Sequence, residues 1–267
     1  MSAVVIDGVL VSSEEAKLSA TSPGVMYGFG IFETLKYVNK KVELFSDHMK
    51  RFREAAHKIG LCIERTDPEI EKDCLALIDH FGEECGVIKI SAIKEEKTRV
   101  IISGRKFIYT PDHYKRGFSV SISEVLRNQT SNLVGIKSDN YLENILELEK
   151  ARNSGHDEVL FFNTEGYLAE GSFTNIFFVK DQKLFTPEKK CGLLVGVMRN
   201  QVIKVAFDLG IEVIEGKFTK LELGGSEEAF LTNSVMGIMP IKRIEEKHMP
   251  VFGACTKMLY DELKNRF

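Results

Sequence analysis

The alternation of apolar and polar residues begins with a hairpin: Val4-Val5-Ile6, an Asp7-Gly8 turn, then Val9-Leu10-Val11. After the glycine-rich stretch GVMYGFGIF, the run Phe32–Val38 has strand character. Ser46 or Asp47 is placed to cap a helix that reaches about Ile59 and closes at Gly60. Its apolar face is Met49, Phe52, Ala56 and Ile59, which leaves Arg51 toward solvent and puts Arg53 nearer the core. A second helix starts at Asp67-Pro68, where proline suits the first turn, and ends near Gly82. Strands over 87–93 and 99–109 follow. The second half reads as a strand over 118–123, a helix from about Asn140 to Arg152 stopped by Gly155, and strands over 158–163, 167–169 and 176–179. Lys180–Lys183 makes a tight connection. A helix over 198–209 ends at Gly210, a strand over 211–214 comes next, 228–241 begins as a strand that ends in hydroxyl and amide side chains, and 252–265 is a final amphipathic helix.

Strands and helices mix in both halves, which predicts two α+β lobes. The polar, turn-rich segment TPDHYKRG (110–117) is the expected boundary, giving a small lobe over 1–112 and a larger one over 117–267. A chain of 267 residues can bury a core of that kind without a disulfide or metal staple.

Charge changes the picture only by exclusion. Thirty-six basic against thirty-nine acidic side chains leave a net charge of −3, with no global signal for nucleic acid or an anionic membrane. No apolar run approaches the ~20 residues of a membrane span. The start carries no basic segment and meets Asp7 before any signal-like core develops. Cysteines at 62, 74, 85, 191 and 255 form no CxxC pair, which favours a reducing, cytoplasmic setting. The six histidines show no HExxH, so no metal site is expected. GFGIFE (28–33) lacks the third glycine of a dinucleotide fingerprint, and neither a GxSxG elbow nor a Walker loop occurs.

Four patterns in the second half carry candidate chemistry. In GIKSDNYLENIL (135–146), Lys137 sits just before a helix; such a lysine is solvated unless a pocket desolvates it, when its amine becomes a nucleophile. In EGYLAEGSFTNIFFV (165–179), Glu170 closes a short strand and a Gly-Ser turn leads to the next, which in isolation makes it an ordinary turn carboxylate. In LLVGVMR (193–199), Gly196 lets the chain approach a ligand, and the N–H groups of Val197 and Met198 open a helix as an anion site or bind only water. In EAFLTNSVMGIMPI (228–241), Asn233 and Ser234 cap a turn or add phosphate donors.

In this order, from MYGFGIFETLKY through HMKRF to IMPI, the motifs resemble the fold-type IV pyridoxal-phosphate enzymes: branched-chain and D-amino-acid aminotransferases and 4-amino-4-deoxychorismate lyases. The resemblance spans nearly the whole chain. It implies a two-lobed D-amino-acid aminotransferase-like fold with pyridoxal 5′-phosphate between the lobes, and a homodimer. Lys137 matches the catalytic lysine that links to the cofactor and shuttles the proton. Glu170 matches the carboxylate facing the pyridine nitrogen, where it favours the protonated ring. Arg51 matches the arginine gripping the phosphate, and Leu194 the residue packed on the ring face. Val197 and Met198, beside Gly196, match the backbone donors, Ser234 and Asn233 further donors, and Tyr141 a tyrosine near the cofactor hydroxyl. Arg51 enters by resemblance alone.

Departures from the family pattern bear on the reaction. D-Amino-acid aminotransferases carry a tyrosine before the first-strand glutamate and an Arg-x-His carboxylate trap; here stand Phe32-Glu33, and 84–110 has no such trap. Branched-chain aminotransferases carry an arginine where GVIKIS (86–91) has Lys89, and GITR where this chain has GVMR. These features lean toward the lyase, which releases 4-aminobenzoate and pyruvate in folate precursor synthesis. An aminotransferase is the alternative, and a non-catalytic binding homologue is disfavoured by the presence of both Lys137 and Glu170. Lys89, Lys94, Arg99 and Arg105 are the candidate holders of substrate carboxylates.

Overall fold

Strand pairing in the first hundred residues follows the alternation closely. The computed structural model describes residues 3–267. Strands β1 (Ala3–Ile6) and β2 (Val9–Ser12) form the hairpin, with Asp7 and Gly8 both at positive φ in the turn. Strands β3 (Gly30–Val38), β4 (Lys41–Val42), β5 (Cys85–Lys94) and β6 (Thr98–Lys106) complete a six-stranded sheet in the order β2-β1-β6-β5-β3-β4. Helix α1 (Pro23–Tyr27) is a single turn capped by Ser22; α2 (Phe45–Lys58) and α3 (Asp67–Phe81) supply the core. Met49, Phe52, Ile70 and Leu77 pack with Ile31, Leu35 and Tyr37, all essentially buried. The α3 start is a capping box in which Glu69 accepts from the Thr66 N–H at 2.7 Å.

Helix α2 begins earlier than the Ser46 or Asp47 cap predicts. The β3–β4 hairpin turns through Asn39 and Lys40, and Leu44 at φ 54° then turns the chain straight into the helix without a side-chain cap. Asp47 therefore falls inside the first turn, where its charge suits the positive helix start.

The second unit carries α4 (Pro111–Arg116), β7 (Phe118–Ile122), α5 (Leu142–Asn153), β8 (Glu158–Phe162), β9 (Leu168–Gly171), β10 (Asn175–Lys180) and β11 (Lys183–Pro187). There follow α6 (Val197–Asp208), β12 (Val213–Gly216), α7 (Lys220–Gly224), β13 (Glu228–Asn233), β14 (Gly237–Ile244), β15 (Lys247–His248) and α8 (Ala254–Arg266). The sheet order is β12-β11-β10-β13-β14-β7-β8-β9, with β15 on β14. Its core contains Phe178, Leu231, Met239 and Ile241.

The segment 110–117 is not a loop: Thr110 caps α4 and His113 accepts back from the Thr110 N–H at 3.1 Å, so a sequence dense in turn residues closes one helical turn instead. In 228–241 the strand β13 ends at Asn233, among the hydroxyl and amide residues, and after a turn at 234–236 capped by Asn233 the chain returns antiparallel as β14. The units also divide differently from 1–112 and 117–267. One runs through Ile108 and takes back Ile136–Asn140; the other holds Tyr109–Gly135 and Tyr141–Phe267.

Candidate active site

In the first unit Lys137 rides on a segment with little regular structure of its own. β4 covers only the Tyr37–Val38 end of β3. Residues 137–139 take the other end: the Phe32 N–H donates to the Lys137 carbonyl at 2.9 Å and the Asp139 N–H to the Gly30 carbonyl at 3.0 Å. Gly30 leaves room for this docking: a Cβ there would stand 2.2 Å from Asp139 Oδ2 and 3.0 Å from the Ala92 carbonyl oxygen. Lys137 Nζ lies 4.4 Å from the Phe32 ring centre and Lys89 Nζ 4.3 Å from it. Lys89 also pairs with Asp139 at 3.7 Å. Burial raises the Asp139 carboxyl above its ordinary range, against the opposing charges of Lys89 and Lys137. Of the other candidate carboxylate holders, Arg99 is engaged by Asp7 and Glu95.

Arg51 is not solvated. Its Nε donates to Glu33 Oε1 at 2.7 Å and its NH2 to Glu33 Oε2 at 2.6 Å, a side-on bidentate pair. His48, one turn earlier on α2, meets Glu33 Oε2 through Nδ1 at 2.7 Å. Glu33 is 1% exposed and His48 0%. The physical reason lies in β3: Ile31, Glu33, Leu35 and Tyr37 alternate onto the core face, so the one carboxylate in that row needs cationic and N–H partners from the helix above it. Burial alone would raise the Glu33 carboxyl, but the Arg51 charge and the bonds from His48 and Arg51 hold it down to about 2.

In the second unit Glu170 ends β9 and its Oε2 accepts from the Leu194 N–H at 3.0 Å. The Leu194 carbonyl accepts from Asn175 Nδ2 at 2.8 Å. Leu194 is thus held on both sides of its peptide. Gly196 has an ordinary φ of −69°, so its role is spatial: a Cβ would stand 2.2 Å from Asn175 Oδ1. What the missing side chain admits is Asn175. Gly196 is the N-cap of α6 and gives no side-chain cap, so the first-turn N–H groups of Val197 and Met198 are offered by backbone alone. Arg199, in the same turn, is buried and donates to the Pro187 carbonyl at 2.9 Å and to Glu215 at 2.6 Å.

The turn after Glu170 is fixed by a second carboxylate. Glu158 is 4% exposed and accepts from the N–H groups of Val159 at 2.9 Å and Ser172 at 3.1 Å, and from the hydroxyls of Ser172 and Thr174. Burial raises its pKa against those bonds. Asn144 donates to the Ser172 carbonyl at 2.6 Å. Tyr141, the N-cap of α5, has its ring 5.2 Å from that of Phe173. Asn233 uses its Oδ1 on the N–H groups of Val235 and Met236, and its amide donates to the Phe173 carbonyl at 3.3 Å. It is the capped turn of the two readings. Ser234 sits half-buried in that turn.

Glu170, Leu194, Gly196, Val197 and Met198 therefore form one group, and Tyr141, Phe173 and Asn233 a second beside the same turn. Arg51 and Lys137 lie in the first unit, linked through β3. Sequence reading missed His48, Glu158 and Asn175, and gave Phe32 and Glu33 only as a departure from the family pattern. For Glu33 a signal existed: an acid in the apolar row of β3, with His48 and Arg51 spaced i, i+3 on one helix face.

The amino-transferase class IV family model matches residues 30–244. The chain belongs to that family. It is 26% identical to a putative branched-chain-amino-acid aminotransferase of Methanocaldococcus jannaschii, over 98% of this chain and 95% of that one. It is also 26% identical to the aminodeoxychorismate lyase of Bacillus subtilis, over 91% of this chain and 87% of that one. Among solved structures, the branched-chain aminotransferase of Thermoproteus uzoniensis with norvaline superposes with a TM-score of 0.89 at 32% identity, covering 97% of this chain and 93% of that one. The fold is the two-lobed α+β fold-type IV arrangement, and the family is known to bind pyridoxal 5′-phosphate. Each unit carries groups of a kind that cofactor can use: the first has the Lys137 amine and the Arg51 cation, and the second has a helix start without a side-chain cap at Gly196 and a fixed carboxylate at Glu170. No helix among the described residues is long and apolar enough to cross a membrane.

Proposed function

We propose that the chain is a pyridoxal-phosphate-dependent aminotransferase acting on branched-chain or similar amino acids, and that it works as a homodimer. The observation that carries this reading is the 32% identity, over 97% of the chain, to the Thermoproteus uzoniensis aminotransferase. It outweighs the lean toward a lyase, which rests on Lys89 and the GVMR loop. In this reading the cofactor is taken by Lys137, Arg51, Glu170, Leu194, Val197 and Met198, in the roles that the family resemblance implies. When bound, it supplies an electron sink for negative charge at the substrate carbon attached to its nitrogen. Glu170, pinned by the Leu194 N–H, holds the pyridine nitrogen in its protonated form. Arg51 and the α6 N–H groups bind the phosphate dianion. Leu194 covers the ring face and excludes water, and the Lys137 amine takes the proton from the α-carbon of the donor amino acid and in the return half-reaction gives one to the keto carbon of the acceptor.

The second reading, an aminodeoxychorismate lyase, is favoured by Lys89 in place of an arginine and by the Bacillus subtilis relative. One experiment separates them. With leucine and 2-oxoglutarate the purified protein should form glutamate, and with aminodeoxychorismate alone it should release little 4-aminobenzoate. Release of 4-aminobenzoate and pyruvate without a keto acid, and no glutamate, reverses the order. Borohydride reduction followed by peptide mapping should place the cofactor on Lys137 in either case. Light scattering should give twice the chain mass, and a monomer at micromolar concentration removes the homodimer.

A further inference from the structure

We infer that Glu33 and His48 are positioning residues that set the plane of the Arg51 guanidinium for a phosphate monoester. The inference rests on the reading of Arg51 as the phosphate ligand and adds the machinery beneath it. Glu33 takes the Nε and one NH2 hydrogen of Arg51 side-on, at 2.7 and 2.6 Å. A planar fork bound along that edge presents its remaining donors in one fixed plane, directed away from Glu33. His48 Nδ1 bonds the same carboxylate oxygen that accepts from NH2, which stops Glu33 rotating about its terminal bond. Every member is deep: Glu33 and His48 are buried and the Arg51 side chain is 17% exposed.

Fold stability alone does not explain the set. Ile31, Leu35 and Tyr37 fill the same row of β3 with apolar side chains, and an apolar residue at 33 would complete it, since buried charge networks are commonly replaced by apolar packing without loss. His48 Nε2 is moreover buried with no hydrogen-bond partner among the described residues, so the imidazole is retained for what Nδ1 does. The sign of the effect is diagnostic. If net charge governed anion binding, the Glu33 carboxylate would oppose it, and its removal would tighten phosphate. If orientation governs, its removal weakens phosphate.

The test compares pyridoxal 5′-phosphate with pyridoxal, binding each to the full-length chain freed of cofactor. Both reach Lys137 alike, so the ratio of their dissociation constants reads the phosphate contact and is unmoved by a general loss of folding quality. R51A should collapse the ratio. E33Q should lower it by about tenfold, as expected for one charge-assisted contact, and the E33Q/R51A pair should fall no further than R51A. E33D, which keeps the charge but shortens the reach, and H48Q should move the ratio in the same direction by less, and they serve if E33Q does not fold. A ratio unchanged or raised in E33Q and E33D, with R51A low, overturns the positioning role while leaving Arg51 as the ligand. A ratio unchanged in R51A removes Arg51 from the phosphate and the inference with it.

Discussion

Replacing Gly196 by alanine separates a steric requirement from a conformational one. The backbone there is at φ −69°, ψ 140°, where any L-residue is at ease, so strain is not the issue. The new Cβ would stand 2.2 Å from Asn175 Oδ1 and 3.3 Å from Arg199 Cβ. An ordinary contact needs about 3.5 Å, so the Asn175 amide must retreat by about 1 Å. That movement breaks its bond to the Leu194 carbonyl, now 2.8 Å, at a net cost of about 1 kcal/mol. Overpacking a closed site adds about 1–3 kcal/mol. G196A should therefore lower the unfolding free energy of the cofactor-free chain by about 2–4 kcal/mol in a urea titration followed by circular dichroism. It should also weaken cofactor binding, because Leu194 loses one of its two restraints. N175A removes the obstacle together with the bond. Alone it should cost about 1 kcal/mol, and the double substitution should be less destabilised than the sum of the two by about 1–2 kcal/mol. Strict additivity, or a G196A loss below about 0.5 kcal/mol, refutes the steric account.

The Glu33 carboxyl, held down to about 2 against an ordinary 4.5, contributes stability that is present above the unfolded value and lost as pH falls from about 4.5 to 2. Acid titration of the cofactor-free chain should show a loss of about 3 kcal/mol across that window, and E33Q should flatten it. A wild-type curve as flat as that of E33Q removes the ion pair from the folded state. E158Q turns an amide N–H toward the donors of Val159 and Ser172, and thermal unfolding should register about 2–4 kcal/mol of destabilisation. An unchanged midpoint would mean that the turn does not depend on that carboxylate.

Local pattern carried most of the fold. The β1–β2 hairpin has its turn at Asp7-Gly8, and α3 runs from Asp67 to Phe81 with Gly82 after it, because turn chemistry and capping are encoded within a few residues. Where two local solutions compete, the pattern misled. TPDHYKRG contains the residues of a turn and of a capping box alike, and the capping box forms. Leu44 carries a left-handed turn that no composition rule assigns to leucine, which moved the α2 start. The candidate site was legible as motifs but not as contacts. Periodicity placed Arg51 in solvent because helix periodicity sees only apolar faces, whereas its burial is decided by Glu33, eighteen residues away on a strand. Lys137 meets β3 through a pairing across more than a hundred residues, beyond any window of sequence.

The same device recurs in both units, and it says where function is vulnerable. Lys137 and Leu194 stand on backbone that regular secondary structure does not hold, whereas Glu170 lies on β9 and Arg51 on α2. Lys137 is on a segment fixed by the open end of β3, and Asp139 lies in the space left by Gly30. Leu194 is fixed between the side chains of Glu170 and Asn175. The turn from Gly171 to Thr174 is fixed by Glu158 and Asn144. Such segments have no ladder of their own to resist displacement, so their geometry depends on a few polar contacts each. A residue such as Asn175 or Glu158 then governs reactive geometry without touching a ligand. Its loss acts on orientation, where about 1 Å of misplacement has a large kinetic effect, before it acts on global stability. Under the proposed function, the polar framework that holds Lys137 in the first unit and the one that holds Leu194 in the second are therefore each expected to govern activity.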